Sequence, residues 1–319
     1  IALKRSFKRG TALQMSPTLH ELQRVWGKHL RAYAKQLHEV LDKGTPGDAS
    51  SAASLATREG PQQLATACAV VNTGKYCAET SGQLEESLIK AMEPAWASRV
   101  DLSAVIDEFQ AVVTTGMRLL VAALEARMAA ALTAMTKVKW DTIDELSEDT
   151  SPYMLEVVAK ARDLMPLLGE ALMPLYVRFY CDKFVQSFVP RLIGNIYRCK
   201  RICEIGAQQM QIDVGTLKAT LFELPALAQA SSTAIYSKLV ASEVAAAEQL
   251  LKLVQTPEEL LEATVEQMRE GGLNVDLQKI LELKGLKKSD ARSEFLNKLV
   301  STAGSLPNIG NLSGAMRTT

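Results

Sequence analysis

The sequence predicts an all-α protein, built as two tandem helical bundles that together make an elongated rod. Three observations carry this. Large apolar residues recur three and four positions apart through most of the chain, and no strand-like alternation lasts longer than about four residues. Aromatics are only 5% of the composition, while Ala, Leu, Lys and Glu are abundant, a mixture that favours helices. Helix starts and stops are written in Ser-Pro and Thr-Pro-Glu-Glu signals and in glycines.

Taken in order, residues 1–15 read as a basic lead-in carrying Lys4, Arg5, Lys8 and Arg9. Ser16-Pro17 opens a helix whose stripe of Leu19, Leu22, Trp26, Leu30, Tyr33, Leu37 and Leu41 runs to about Lys43. Residues 44–60 hold Gly, Pro, Ser, Thr and Ala with hardly a large apolar side chain, the composition of a flexible linker. Pro61 opens a short helix through Ala69, and Asn72 or Thr73 caps the next, broken at Pro94. A long pattern from Asp101 or Ser103 to about Lys137 implies a helix of roughly 55 Å, which favours an elongated bundle.

Trp140 to Pro152 is the clearest boundary, with Asp141, Asp144, Glu145, Glu148 and Asp149 leading to a second Ser-Pro start. The first bundle is thus expected over 16–145 and the second over 146–304. A helix is predicted over Tyr153–Leu164, and Pro166 restarts the chain. From Val177 two apolar ladders step by four: Val177, Cys181, Val185, Val189, Ile193, and Tyr180, Phe184, Phe188, Leu192, Ile196. Two adjacent rows make a stripe wider than a coiled-coil seam and mark a central core helix. Pro174 and Pro190 are candidate kinks in it. Further helices are predicted over Ile202–Leu224, closed by Pro225, over Ser231–Val254, after Thr256-Pro257, and over 275–284 and 290–301, with a disordered tail over 305–319.

The chemistry that would mark an enzyme does not assemble. The three histidines, His20, His29 and His38, share one predicted helix, and the two on one face are about 27 Å apart along it. No nucleotide loop, HExxH or calcium loop occurs. The five cysteines include no CxxC pair and read as buried thiols. No cofactor or metal is implied. The 36 basic and 36 acidic residues cancel, so global charge offers no argument for nucleic acid or an anionic membrane. No uncharged apolar run approaches about 18 residues, and no secretory leader is visible. Beginning at Ile1, the chain reads as a fragment of a longer protein, cut in or near a linker.

Local features suggest a partner-binding surface. Arg191, Arg198, Lys200 and Arg201 sit at the end of the two-ladder helix and in the turn after it. They suit either the C-terminal end of a helix dipole or an anion- or partner-binding rim. Gln209 and Asp213 share one face of the following helix, either exposed or part of an interaction patch. Lys284, Lys287 and Lys288 surround Gly285 in a weak helix-turn-helix outline, but Asp290 and Glu294 would repel phosphates, so nucleic acid is not expected as a partner. A generic helical scaffold or adaptor in another complex is the alternative class.

Several segments together resemble one family. They are ACAVVNTGKYCAETSGQLEE at 67–86, ALTAMTKVKW at 131–140, SPYM at 151–154, CDKFVQSFVPRLI at 181–193, YRCKRICEIGAQQMQIDVGTLKATLFELP at 197–225 and KILELKGLKKSD at 279–290. In this order they resemble the C-terminal half of the vacuolar protein sorting-associated protein 53 family, subunits of the Golgi-associated retrograde protein (GARP) tethering complex. The resemblance implies the exocyst-like (CATCHR) architecture of stacked helical bundles, with no catalysis and no cofactor. It implies a subunit that helps bring endosome-derived vesicles to the trans-Golgi network, peripheral to the cytosolic face of that membrane and of endosomes. The implied partners are the other subunits of GARP and of the related endosomal recycling complex, with SNAREs, small GTPases or the vesicle membrane as further candidates.

Overall fold

The longest helix decides how the others stack. The computed structural model describes residues 2–12, 15–43, 60–270 and 277–285, and the described residues contain helices and no strand. The helices are α1 (Ala2–Ala12), α2 (Ser16–Lys43), α3 (Gly60–Ala91), the single turn α4 (Pro94–Ala97), α5 (Ser103–Lys137), α6 (Pro152–Ala171), α7 (Pro174–Ile196), α8 (Glu204–Leu227), α9 (Ala234–Gln255), α10 (Glu258–Glu270) and α11 (Leu277–Leu283). At 1.5 Å per residue α5 spans roughly 52 Å and takes part in both bundles. By length and composition alone it could cross a membrane. Here its apolar residues, Phe109, Leu120, Leu124 and Leu132 among them, are buried in the protein core.

Along the first half of α5, α2 runs parallel and α3 antiparallel. Tyr33 of α2 meets Phe109 edge-on at 6.4 Å, and Gly74 of α3 lies against Phe109 and Val113. Gly116 leaves room for Val71 and Leu41 from both neighbours. The second half of α5 receives α6 and α7. Behind them α8 returns beside α6, and α9 runs back beside α8. One apolar core runs continuously from Ala34 to Leu283, crossing the chain junction expected at 145/146. A smaller cluster of Leu19, Trp26, Leu88, Met92 and Val100 closes the far end of the first bundle.

The two ladders of α7 lie at the centre of the second bundle. Nine of their ten side chains are buried, and Ile193 packs at the edge. Tyr180, Phe184 and Phe188 form a run of stacked rings, with centroids 6.2 and 5.1 Å apart. Pro174 sits in the first turn of α7, where its missing N–H costs nothing.

Several local expectations change. Residues 2–12 are helical rather than a bare lead-in, because Phe7 packs on Trp26 and the Trp26 indole N–H donates to Ser6. α3 is one helix across Asn72. Instead of capping its own helix, Asn72 donates to the carbonyl of Ala171 and accepts from the N–H of Met173, holding the α6–α7 corner. α6 continues through Pro166 and α8 through Pro225. An internal proline costs about 3 kcal/mol of helix propensity, and burying Leu164, Met165 and Leu168 on the same turns offsets it. Of the linker expected over 44–60, Gly60 already begins α3 and the rest lies outside the described residues, as do the helix at 290–301 and the tail at 305–319.

Glycine substitutions test this packing. A Cβ on Gly169 would collide with the backbone of Ala228, so Gly169→Ala should lower stability by about 1–3 kcal/mol. Gly215 is exposed in the middle of α8, and a methyl group added there would meet nothing within 4 Å. Gly215→Ala should therefore raise stability by about 0.5–1 kcal/mol. Urea midpoints moving in opposite directions are the expected result.

Candidate partner-binding surface

One end of the second bundle gathers the loop between α5 and α6, the turn between α7 and α8, and the C-terminal end of α11. The loop has no regular structure of its own, so its backbone polar groups need partners from elsewhere. α8 supplies them from a single face. The N–H of Cys203, just ahead of α8, donates to the carbonyl of Trp140 at 3.1 Å, and its thiol donates to the carbonyl of Ile143. Gln209 accepts from the N–H of Ser147 at 3.0 Å and donates to the carbonyl of Asp149 at 2.8 Å. Asp213 accepts from the N–H of Ser151 and from the Tyr153 hydroxyl, both at 2.7 Å. Thr216 and Thr150 share a hydrogen bond at 2.7 Å. Positions 209, 213 and 216 are three and four apart, so one helical face meets successive points along the loop. Gly206 lies on this face too, and a Cβ there would collide with the carbonyl of Trp140.

Gln209 and Asp213 are therefore buried under the loop and do not belong to an exposed patch. Burial pushes the Asp213 carboxyl above its ordinary range, against the opposing pull of hydrogen bonds from Ser151, Tyr153 and Gln209. Burial, and then the neighbouring Asp213, pushes the Tyr153 phenol up as well. Trp140 anchors the loop's start, with its indole N–H on the carbonyl of Met135 and its ring edge-on to Tyr153.

The basic residues divide. Arg191 pairs with Glu125 of α5 at 3.1 Å, and Ser187 donates to the same carboxylate at 2.6 Å. The Glu125 side chain is only 11% exposed, so Arg191 compensates a nearly buried charge and ties α7 to α5. Lys284 donates to the carbonyls of Val254 and Thr256, where it closes the C-terminal end of α9. The Arg201 side chain lies over Gly285, whose φ of +74° suits glycine. Arg198 and Lys200 are exposed and make no ion pair among the described residues. Lys287 and Lys288 lie outside the described residues. Of the sequence-predicted surface, the structure leaves Arg198, Lys200 and Arg201 exposed.

Sequence reasoning passed over the hollow beside the loop. A cleft of about 800 Å³ opens between the end of α5, the loop and the start of α6. Ala134, Val138, Ile143, Tyr153 and Leu155 give it apolar walls, and Glu145 and Asp149 are its charged lining. The signal available in the sequence was Leu155, an apolar residue off the buried stripe of α6, and Val138, an apolar residue just past the end of α5. Among the described residues no three His, Cys, Asp or Glu side chains converge as a metal site.

Removing the Asp213 carboxylate should cost stability, since Asp213→Ala strands the Ser151 N–H and the Tyr153 hydroxyl at about 1–3 kcal/mol each. The raised pKa has a pH signature. The folded state holds the Asp213 proton more tightly than the unfolded chain does. This contribution is therefore present at acid pH and declines as pH rises from the ordinary aspartate range through the folded value. Asp213→Asn lacks that decline, so urea titrations across this window should show the variant gaining on the parent as pH rises.

A family model described as vacuolar protein sorting-associated protein 53 C-terminus matches residues 208–286, the span from α8 to the end of α11. Vacuolar protein sorting-associated protein 53 A of Arabidopsis thaliana is 38% identical over 294 residues, covering 91% of this chain and 35% of that protein. A vacuolar protein sorting-associated protein 53 homolog of Caenorhabditis elegans is 29% identical over 245 residues, covering 74% of this chain and 30% of that protein. The chain spans about a third of the length of these curated relatives. No solved structure matches it. Sequence kinship over nine-tenths of the chain and an all-α helical fold agree: the chain belongs to the vacuolar protein sorting-associated protein 53 family.

Proposed function

We propose that this chain is a leg of a non-enzymatic tethering subunit, part of the GARP complex, acting in retrograde transport from endosomes to the trans-Golgi network. The observation that carries it is the kinship across 91% of the chain. The helical construction supports it, since bundles stacked along α5 set a surface at a distance from the rest of a complex. Its place is the cytosolic face of the trans-Golgi network and endosomes, as a peripheral protein. Its partners are the other subunits of GARP or of the related endosomal recycling complex, and SNAREs, small GTPases or the vesicle membrane are contacts for the free surface. Arg198, Lys200 and Arg201 are the residues offered to such a contact. Charges exposed on a rim steer association more than they hold it.

Affinity isolation of the full-length protein from cells should bring down the other tether subunits, and their absence would overturn the assignment. Arg198→Glu combined with Lys200→Glu should leave that assembly intact while lowering endosome-to-Golgi cargo return several-fold. Unchanged cargo return would remove the basic turn as a contact.

A further inference from the structure

The cleft beside the α5–α6 loop combines two features. Its walls expose large apolar side chains, with Val138 at 42% and Leu155 at 53% exposure, and Leu146 on the loop is 47% exposed. Its charged lining is acidic, Glu145 and Asp149, and Asp141, Asp144 and Glu148 are exposed on the same loop; none of the five forms an ion pair among the described residues. Lys137 and Lys139 lie at the approach to the loop, but no basic side chain lines the cleft itself. Side chains that are apolar at the centre and charged at the edge are the composition of a protein-binding patch.

The polar groups at the cleft are already engaged. Both ends of the Gln209 amide, the N–H of Ser147, the carbonyl of Asp149 and the N–H of Ser151 are used in holding the loop. A small polar ligand would find few fixed donors or acceptors there, whereas ligand sites for small molecules depend on such groups. The described residues also offer no strand edge on which an extended peptide could add. What remains is apolar contact between two helix ends, with negative charge along the loop side, which fits the apolar face of a helix flanked by Lys and Arg.

We propose that this cleft is a docking site for a basic amphipathic helix of a partner protein. Its apolar face would cover Val138 and Leu155 in the cleft, and its Lys or Arg side chains would meet Glu145 and Asp149 there and Asp144 and Glu148 along the loop. The loop is suited to this because α8 holds it in shape before binding, so little ordering is left to oppose association. The site is separate from the basic turn at 198–201, and binding here does not depend on the tether assignment.

The test uses the 319-residue chain and three labelled synthetic peptides of equal length, read by fluorescence anisotropy. One is an amphipathic helix with a leucine face and a lysine face, one has the same composition scrambled, and one has Glu in place of Lys. The lysine helix should bind at least tenfold more tightly than either control, and more weakly as salt rises. A combined Asp144→Lys, Glu145→Lys and Glu148→Lys chain should lose at least tenfold in affinity, as should Val138→Ser with Leu155→Ser. These positions are exposed, and unchanged helical circular dichroism checks that both chains fold. Equal binding of the scrambled or acidic peptide, or affinity unmoved by either set of substitutions, would overturn the proposal. So would self-association of the chain that is abolished by Val138→Ser with Leu155→Ser in the absence of peptide binding, since a second copy would then own the cleft.

Discussion

The hydrogen bonds between one face of α8 and the α5–α6 loop are the constraint on which this end of the molecule depends. The loop carries Trp140 into the core and then turns the chain back into α6. Its backbone polar groups would otherwise have to face water or lie unpaired. Gln209 and Asp213 answer four of this segment's polar groups with two side chains. Asp213 is fully buried, so its carboxyl is tolerated only because donors from Ser151 and Tyr153 surround it. The same bonds shape the cleft, because the residues they hold are its wall.

This constraint works inside a frame set by α5. A helix of this length gives α2 and α3 one half and α6 and α7 the other, so two bundles are joined by a shared rigid element rather than by a hinge of loop. The Asn72 clasp at Ala171 and Met173 sits where helices from the two halves meet, and the Glu125–Arg191 pair ties α7 to the second half of α5. A buried carboxylate with one cation and one hydroxyl partner is costly to disturb and specific in register. Such contacts let a displacement at one end be resisted along the rod, which suits a protein whose proposed work is to hold surfaces apart.

The fold was largely legible in the sequence because helices with wide apolar stripes announce themselves locally. α7 is the clearest case: its two ladders name its core face residue by residue. The long α5 was legible for the same reason. Where local signals misled, tertiary contacts outweighed them. Pro166 and Pro225 read as breaks, yet packing carries the helices through them. Asn72 has the chemistry of a cap, and it caps, but at a corner about a hundred residues away in the chain. The site was less legible. Helical geometry placed Gln209 and Asp213 on one face, but what covers that face lies about sixty residues upstream. Arg191 read as one of a basic cluster at the helix end, suited to the helix dipole or to a partner-binding rim, because its partner Glu125 is sixty-six residues distant. The cleft depends on the relative placement of two helix ends, which no periodicity encodes.

The central claim is that α8 holds the loop rigid from one helical face. Amide hydrogen exchange of Ser147 and Ser151, which donate to Gln209 and Asp213, addresses it most directly. Both amides should exchange slowly despite lying outside regular structure, and Asp213→Ala should speed Ser151 exchange by at least tenfold while amides in the centre of α7 stay protected. Fast exchange of both amides in the parent protein, or an Asp213→Ala profile identical to the parent's, would contradict the account.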